Sequence, residues 1–168
     1  IQCKKETNQE TKSALKNEIQ YAKGFEIYKY NGYSIVKITK PWPGAKENFT
    51  YVLQEKNGIV PDSLKQFTTI QIPIKSIVVT WTEQSPLGKA EWIKFFGALY
   101  GLDSKANSVF SEIEREYNST LALAKKATQK PTVLSGSMFQ DQWYVPQGES
   151  WASLFLKDAQ ANYLWKDT

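Results

Sequence analysis

At 168 residues and 19.2 kDa, the chain is long enough to bury one core, or two small ones, without help from disulfides or metals. It contains no histidine, which excludes Ser-His-Asp and Cys-His nucleophile machinery, histidine-ligated zinc and an imidazole general base. The net charge of +4 comes from lysines spread along the sequence with a single arginine, Arg115, whereas nucleic-acid surfaces cluster their cations beside groups that stack on or read bases.

In chain order, the first signal is Cys3, the only cysteine, followed by a polar stretch rich in Lys and Glu with no apolar period. A lone cysteine forms no internal disulfide and builds no metal site by itself. The stretch around it reads as a tether over residues 1–20. From Tyr21 short alternating runs begin. Phe25 to Tyr30 and Tyr33 to Ile38 flank Asn31-Gly32, and Asn-Gly between two alternating runs predicts a β-hairpin because both residues tolerate the positive φ of a type I′ turn. Pro41-Trp42-Pro43-Gly44 breaks the strand, Phe49 to Gln54 resumes extended structure, and Lys56-Asn57-Gly58 turns the chain again. The front section, residues 21–80, is thus predicted as a small, mostly antiparallel sheet. Its last segment, Thr69 to Thr80, begins as an alternating strand and ends on Ile77-Val78-Val79, an apolar burst expected of a central strand that opens an α/β unit.

Residues 81–128 read as helical. Ser85 can cap, Pro86 suits the first helical position, and Trp92, Phe95, Phe96 and Leu99 share one face. After Gly101, a second helix carries the apolar stripe Ala106, Val109, Phe110, Ile113, Tyr117 and Leu121. Both stripes are expected to pack into the core. The last section, residues 129–168, holds a strand from Thr132, a polar loop, a strand at Gln142 to Val145, a short helix capped by Ser150 and a strand at Asn162 to Trp165. No stretch approaches the roughly 18 apolar residues of a membrane-spanning helix, and no GxGxxG or GxxxxGK[ST] phosphate loop is present.

Three segments taken together carry a resemblance. Tyr21-Ala22-Lys23-Gly24-Phe25, then Glu83-Gln84-Ser85-Pro86-Leu87-Gly88-Lys89-Ala90-Glu91-Trp92-Ile93-Lys94-Phe95, then Trp143-Tyr144-Val145-Pro146-Gln147-Gly148-Glu149-Ser150-Trp151 are similar to segments of the solute-binding lipoproteins of iron-siderophore and cobalamin ABC importers. The resemblance runs from Tyr21 to Thr168. It implies an α/β fold of two lobes joined by a long helix, with the first lobe incomplete in this sequence, because that family carries a longer stretch between Val79-Thr80 and Trp81 and a further portion after Trp165. It also implies a non-enzymatic protein without a cofactor, whose ligand is a metal chelate and whose partner is the importer permease.

Carried over position by position, the resemblance makes Trp143, Tyr144, Gln147, Ser150, Trp151 and Trp81 the candidate ligand contacts. Aromatic faces give contact area at low entropic cost, while amides and hydroxyls fix orientation. The alternative is that Trp143 and Trp151 are buried wedges between sheet and helix. The start around Cys3 resembles a mature bacterial lipoprotein, which implies lipidation there and a place in the bacterial cell envelope, with membrane attachment through the anchor only. The family's transporter-docking carboxylates find no match, since Leu154 stands where one would fall. Asp62-Ser63-Leu64 resembles an O-glycosylation site of exported proteins, with Ser63 as acceptor. A second functional reading is an accessory lipoprotein of an outer-membrane assembly, partnered by a β-barrel and keeping the fold without binding ligand. A third, a carboxylate-based hydrolase using Glu83 and Glu91, is disfavoured because acidic side chains near a helix start are expected on dipole grounds alone.

Overall fold

The computed structural model describes residues 16–42, 44–77 and 85–168. Cys3, Trp81, Glu83 and the segment Val78 to Thr80 lie outside them. Within the segment expected to be a tether, residues 17–20 already belong to the body. The Asn17 side chain accepts from the backbone N–H of Ile19 and of Ile27, and Ile19 is buried.

The predicted hairpin forms β1 (Phe25–Tyr30) and β2 (Tyr33–Ile38), antiparallel and in register from Phe25 opposite Ile38 to Tyr30 opposite Tyr33. β3 (Phe49–Gln54) adds antiparallel to β2, and β4 (Thr68–Gln71) adds parallel to β3, giving the order β1-β2-β3-β4. Alternation along these strands separates two apolar faces. One face, with Phe25, Ile27, Val36 and Leu53, packs against Trp92, Ala98 and Leu99 of the first helix, and the Phe25 and Trp92 rings lie 4.5 Å apart. The other, with Tyr33, Ile35 and Val52, is covered by Val60, Leu64 and Phe67. Leu64 ends a short 3₁₀ turn, Asp62–Leu64, on which Ser63 is exposed.

The expected strand from Thr69 to Thr80 is shorter than the sequence suggests. β4 ends at Gln71; the Ile72 N–H still donates to the Gln54 carbonyl, but Pro73 has no N–H with which to extend the ladder. The chain then runs to the helices, where the Ile74 N–H donates to the Leu99 carbonyl and Ile77 packs on the core.

Helix α1 (Pro86–Tyr100) is capped by Ser85, whose hydroxyl accepts from the Gly88 N–H at 3.1 Å, and it closes on Gly101 in the left-handed conformation. Helix α2 (Asp103–Ala124) follows at once and packs along α1. Asp103 in its first turn pairs with Lys29 of β1, tying the helix hairpin to the sheet.

The expected burial of the α2 stripe holds only for its first half. Ala106 and Phe110 are buried, but Ile113 is 39% exposed. With 22 residues against 15, α2 outruns α1 by about 10 Å at 1.5 Å per residue. At Tyr117 it meets the last section of the chain.

That section contains β5 (Thr132–Val133), a hairpin of β6 (Ser137–Phe139) and β7 (Gln142–Tyr144), helix α3 (Trp151–Asp158) and β8 (Asn162–Tyr163). β5 and β8 pair in parallel, so the hairpin and α3 lie in the connection between two parallel strands, a βαβ-type unit. These strands are shorter than the sequence suggests, and the polar loop expected before Gln142 is half of a hairpin, Met138 opposite Trp143. Ser150 caps α3 as expected, accepting from the Ser153 N–H. Tyr163, fully buried, donates its hydroxyl to the Pro146 carbonyl at 2.7 Å and fixes β8 to the loop before α3.

Candidate functional site

The candidate ligand contacts gather in this last section, but not as one wall. Adjacent residues of a strand point to opposite faces. Register therefore puts Trp143 beside Met138 on one face of the hairpin and Tyr144 with Phe139 on the other, the last two rings 6.4 Å apart. All four are at or above 48% exposure, so Trp143 is no buried wedge. The Tyr144 hydroxyl donates to the Gln142 side-chain oxygen at 3.1 Å.

Close packing at the root of the hairpin depends on Gly136, held at φ +147°. A Cβ there would lie 2.3 Å from the Tyr144 carbonyl oxygen and 2.8 Å from the Trp143 indole nitrogen. The turn at the other end is Gln140-Asp141, both with positive φ.

Gln147 is exposed in the loop between β7 and α3, and its carbonyl accepts from the Ser150 N–H at 2.9 Å. Ser150 engages its hydroxyl as the helix cap, leaving that oxygen committed to Ser153. Trp151, the first residue of α3, is half exposed, and the Lys89 ammonium lies 4.6 Å from its ring centre. At that distance a cation is drawn to the electron-rich face of the indole.

Two aromatic residues not singled out as ligand contacts extend this row. Phe155, one turn after Trp151, meets it edge-on at 6.4 Å, and Tyr117 of α2 meets Phe155 edge-on at 5.9 Å. The Tyr117 hydroxyl donates to Asp158, and burial together with that bond pushes its phenol well above the usual tyrosine range. The sequence did carry a signal for both: Phe155 stands at i+4 from Trp151, and Tyr117 continues the α2 stripe one turn past Ile113. Lys89, Trp151, Phe155 and Tyr117 thus form a cation-headed aromatic row running from α1 across α3 to α2, with the Trp143 hairpin a separate aromatic projection.

Elsewhere, a groove of about 410 Å³ opens at the α1–α2 corner, lined by Gly101, Leu102, Ser104, Lys105, Ser108 and Val109. It shares no residue with the predicted contacts. Among the described residues no group of three or more His, Cys, Asp or Glu side chains is placed to hold a metal ion, and no helix is long and apolar enough to cross a membrane. Glu91, the described member of the carboxylate pair considered for hydrolysis, is fully buried with both oxygens engaged by donors.

No family model matches the chain, and no solved structure matches it. Over 90 residues, 52% of the chain, it is 30% identical to a Methanocaldococcus jannaschii protein described as an uncharacterized lipoprotein. Over 89 residues it is 28% identical to an uncharacterized protein of the same organism. The matched stretches span 21% and 27% of those two proteins, so the chain corresponds to a minor part of the length of each.

Proposed function

We propose that the chain belongs to a lipid-anchored solute-binding protein of an ABC-type importer, one that captures a metal chelate such as an iron-siderophore, haem or a cobalamin-like corrinoid. The observation that carries this reading is the exposed aromatic surface of the last section: Trp143, Tyr144 and Phe139 on the hairpin, with Trp151 and Phe155 on α3. Soluble proteins seldom leave so many large rings in water unless a ligand or partner covers them, and flat or caged chelates match aromatic faces in shape and polarizability. Lys89 at the head of the row favours a ligand with negative charge near its rim. Lipidation at Cys3 fits the description of the archaeal relative as a lipoprotein and goes with a site of action at the cell envelope; the permease is the partner that an importer's binding protein requires.

The test is the intrinsic tryptophan fluorescence of the full-length protein, titrated with ferric siderophores, haem and corrinoids. Saturable quenching by one class is expected, and a flat response to all three contradicts the reading.

The opposed directions of Trp143 and Tyr144 favour a second reading, an accessory lipoprotein whose projecting hairpin is clasped by a β-barrel partner of an outer-membrane assembly. Co-purification with such a partner in the absence of chelate distinguishes it.

A further inference from the structure

The segment before β1, residues 17–24, has no regular secondary structure, yet side chains from both long helices hold it. Glu91 of α1 is 0% exposed and accepts four hydrogen bonds. Oε1 receives the Gln20 N–H at 2.9 Å and the Lys94 ammonium at 3.0 Å. Oε2 receives the N–H groups of Tyr21 and Ala22 at 2.7 and 2.8 Å. Three successive backbone N–H groups converging on one carboxylate form an anion-binding nest turned inward on the protein itself. Lys94 completes the closure by also donating to the Glu18 carbonyl at 3.2 Å and resting 4.3 Å from the Phe110 ring centre. On the α2 side, the Tyr21 hydroxyl donates to Glu114 at 2.7 Å. The Glu18 N–H donates to Ile27 at the sheet edge.

A buried carboxylate left without partners is strongly destabilising, so Glu91 and the three amides hold one another in place. Position along α1 adds the consequence. Lys89, against Trp151, and Glu91, in the nest, are two residues apart, about 200° around a helix of 3.6 residues per turn. The Glu91 contact with the segment and the Lys89 contact with Trp151 therefore point to opposite sides of α1, while on α2 the segment and the row meet positions one turn apart, Glu114 and Tyr117.

We infer that residues 17–24 are a strap latched to the helix hairpin through Glu91, and that this latch opens as a local unit, without unfolding the sheet core. The latch itself depends on neither lipid nor ligand.

Amide hydrogen exchange on the full chain tests it. In wild type the amides of Gln20, Tyr21 and Ala22 are expected to be protected despite lying outside any helix or strand. In Glu91→Gln, whichever way the new amide turns, its NH₂ faces two of the four donors. The amides that face the NH₂, either Gln20 or the Tyr21 and Ala22 pair, should then exchange at least about tenfold faster while the sheet amides of Val36 and Leu53 keep their rates. Tyr21→Phe, which removes the hydroxyl that bonds Glu114 and leaves the backbone N–H on Glu91, should speed trypsin cleavage after Lys23 and leave the fold intact. The inference is overturned if the three amides exchange at unstructured rates in wild type, if Glu91→Gln leaves their protection unchanged, or if it speeds Val36 and Leu53 equally, which would make Glu91 a support of the whole core. A failed chelate titration would leave all of these outcomes unaffected.

Discussion

Tyr117 and Asp158 join α2 to α3 through one hydrogen bond, and the consequence is a pH dependence of definite sign. An unfolded tyrosine ionises near 10, while in the fold burial and the Asp158 carboxylate keep Tyr117 protonated to higher pH. The unfolded chain therefore sheds this proton first, so the contribution of Tyr117 to stability is complete below about pH 10 and is lost progressively above it. Phenolate absorbance of wild type and Tyr117→Phe should differ by one tyrosine titrating later than free tyrosine. A missing phenol that titrates at or below pH 10 would show that the bond to Asp158 is not made in solution. At this same scale the sequence spoke unevenly. Ser85, Ser150 and Pro86 announce their roles because capping is local chemistry. Glu91 gives no such sign, because its three backbone donors come from residues about seventy positions away.

Among the elements, the α1–α2 hairpin turns on Gly97. A Cβ at that position would come 2.4 Å from the Ala106 Cβ, well inside contact distance, so the two helices approach as closely as they do because Gly97 has no side chain. Gly97→Ala gains helix propensity, but the clash outweighs it, with an expected net destabilisation of about 1–3 kcal/mol. Denaturant unfolding of Gly97→Ala, Ala106→Gly and the double variant should show the second substitution recovering part of the first loss. Additive losses would mean that the helices part rather than clash. The four-stranded sheet was largely readable because Asn31-Gly32 and period-two alternation are local signals. The β6–β7 hairpin was not, since its Gln140-Asp141 turn lacks the glycine that usually marks positive φ. Strands as short as β5 and β8 owe their pairing to tertiary context that no local pattern encodes.

For the molecule as a whole, a sheet braced by two helices carries a smaller parallel unit whose aromatic side chains remain in water. The identity of several of those rings was legible in the sequence, and so was the cap at Ser150. Their arrangement was not assembled from it: Trp143 and Tyr144, adjacent in one strand, had to face opposite ways, and the row that does form needs Phe155, Tyr117 and Lys89 from three helices. In the proposed function these exposed rings grip a chelate. Its most direct measurement is calorimetric titration of the full-length protein with the chelate that quenches its fluorescence, repeated for Trp143→Ala, Trp151→Ala and, as a control, Trp42→Ala, an equally exposed ring on the front section. Affinity is predicted to fall by about tenfold or more in the first two variants, as the loss of a buried aromatic contact implies, and to stay unchanged in the third. Equal affinity in all four proteins, or an equal loss in the Trp42 variant, would contradict it.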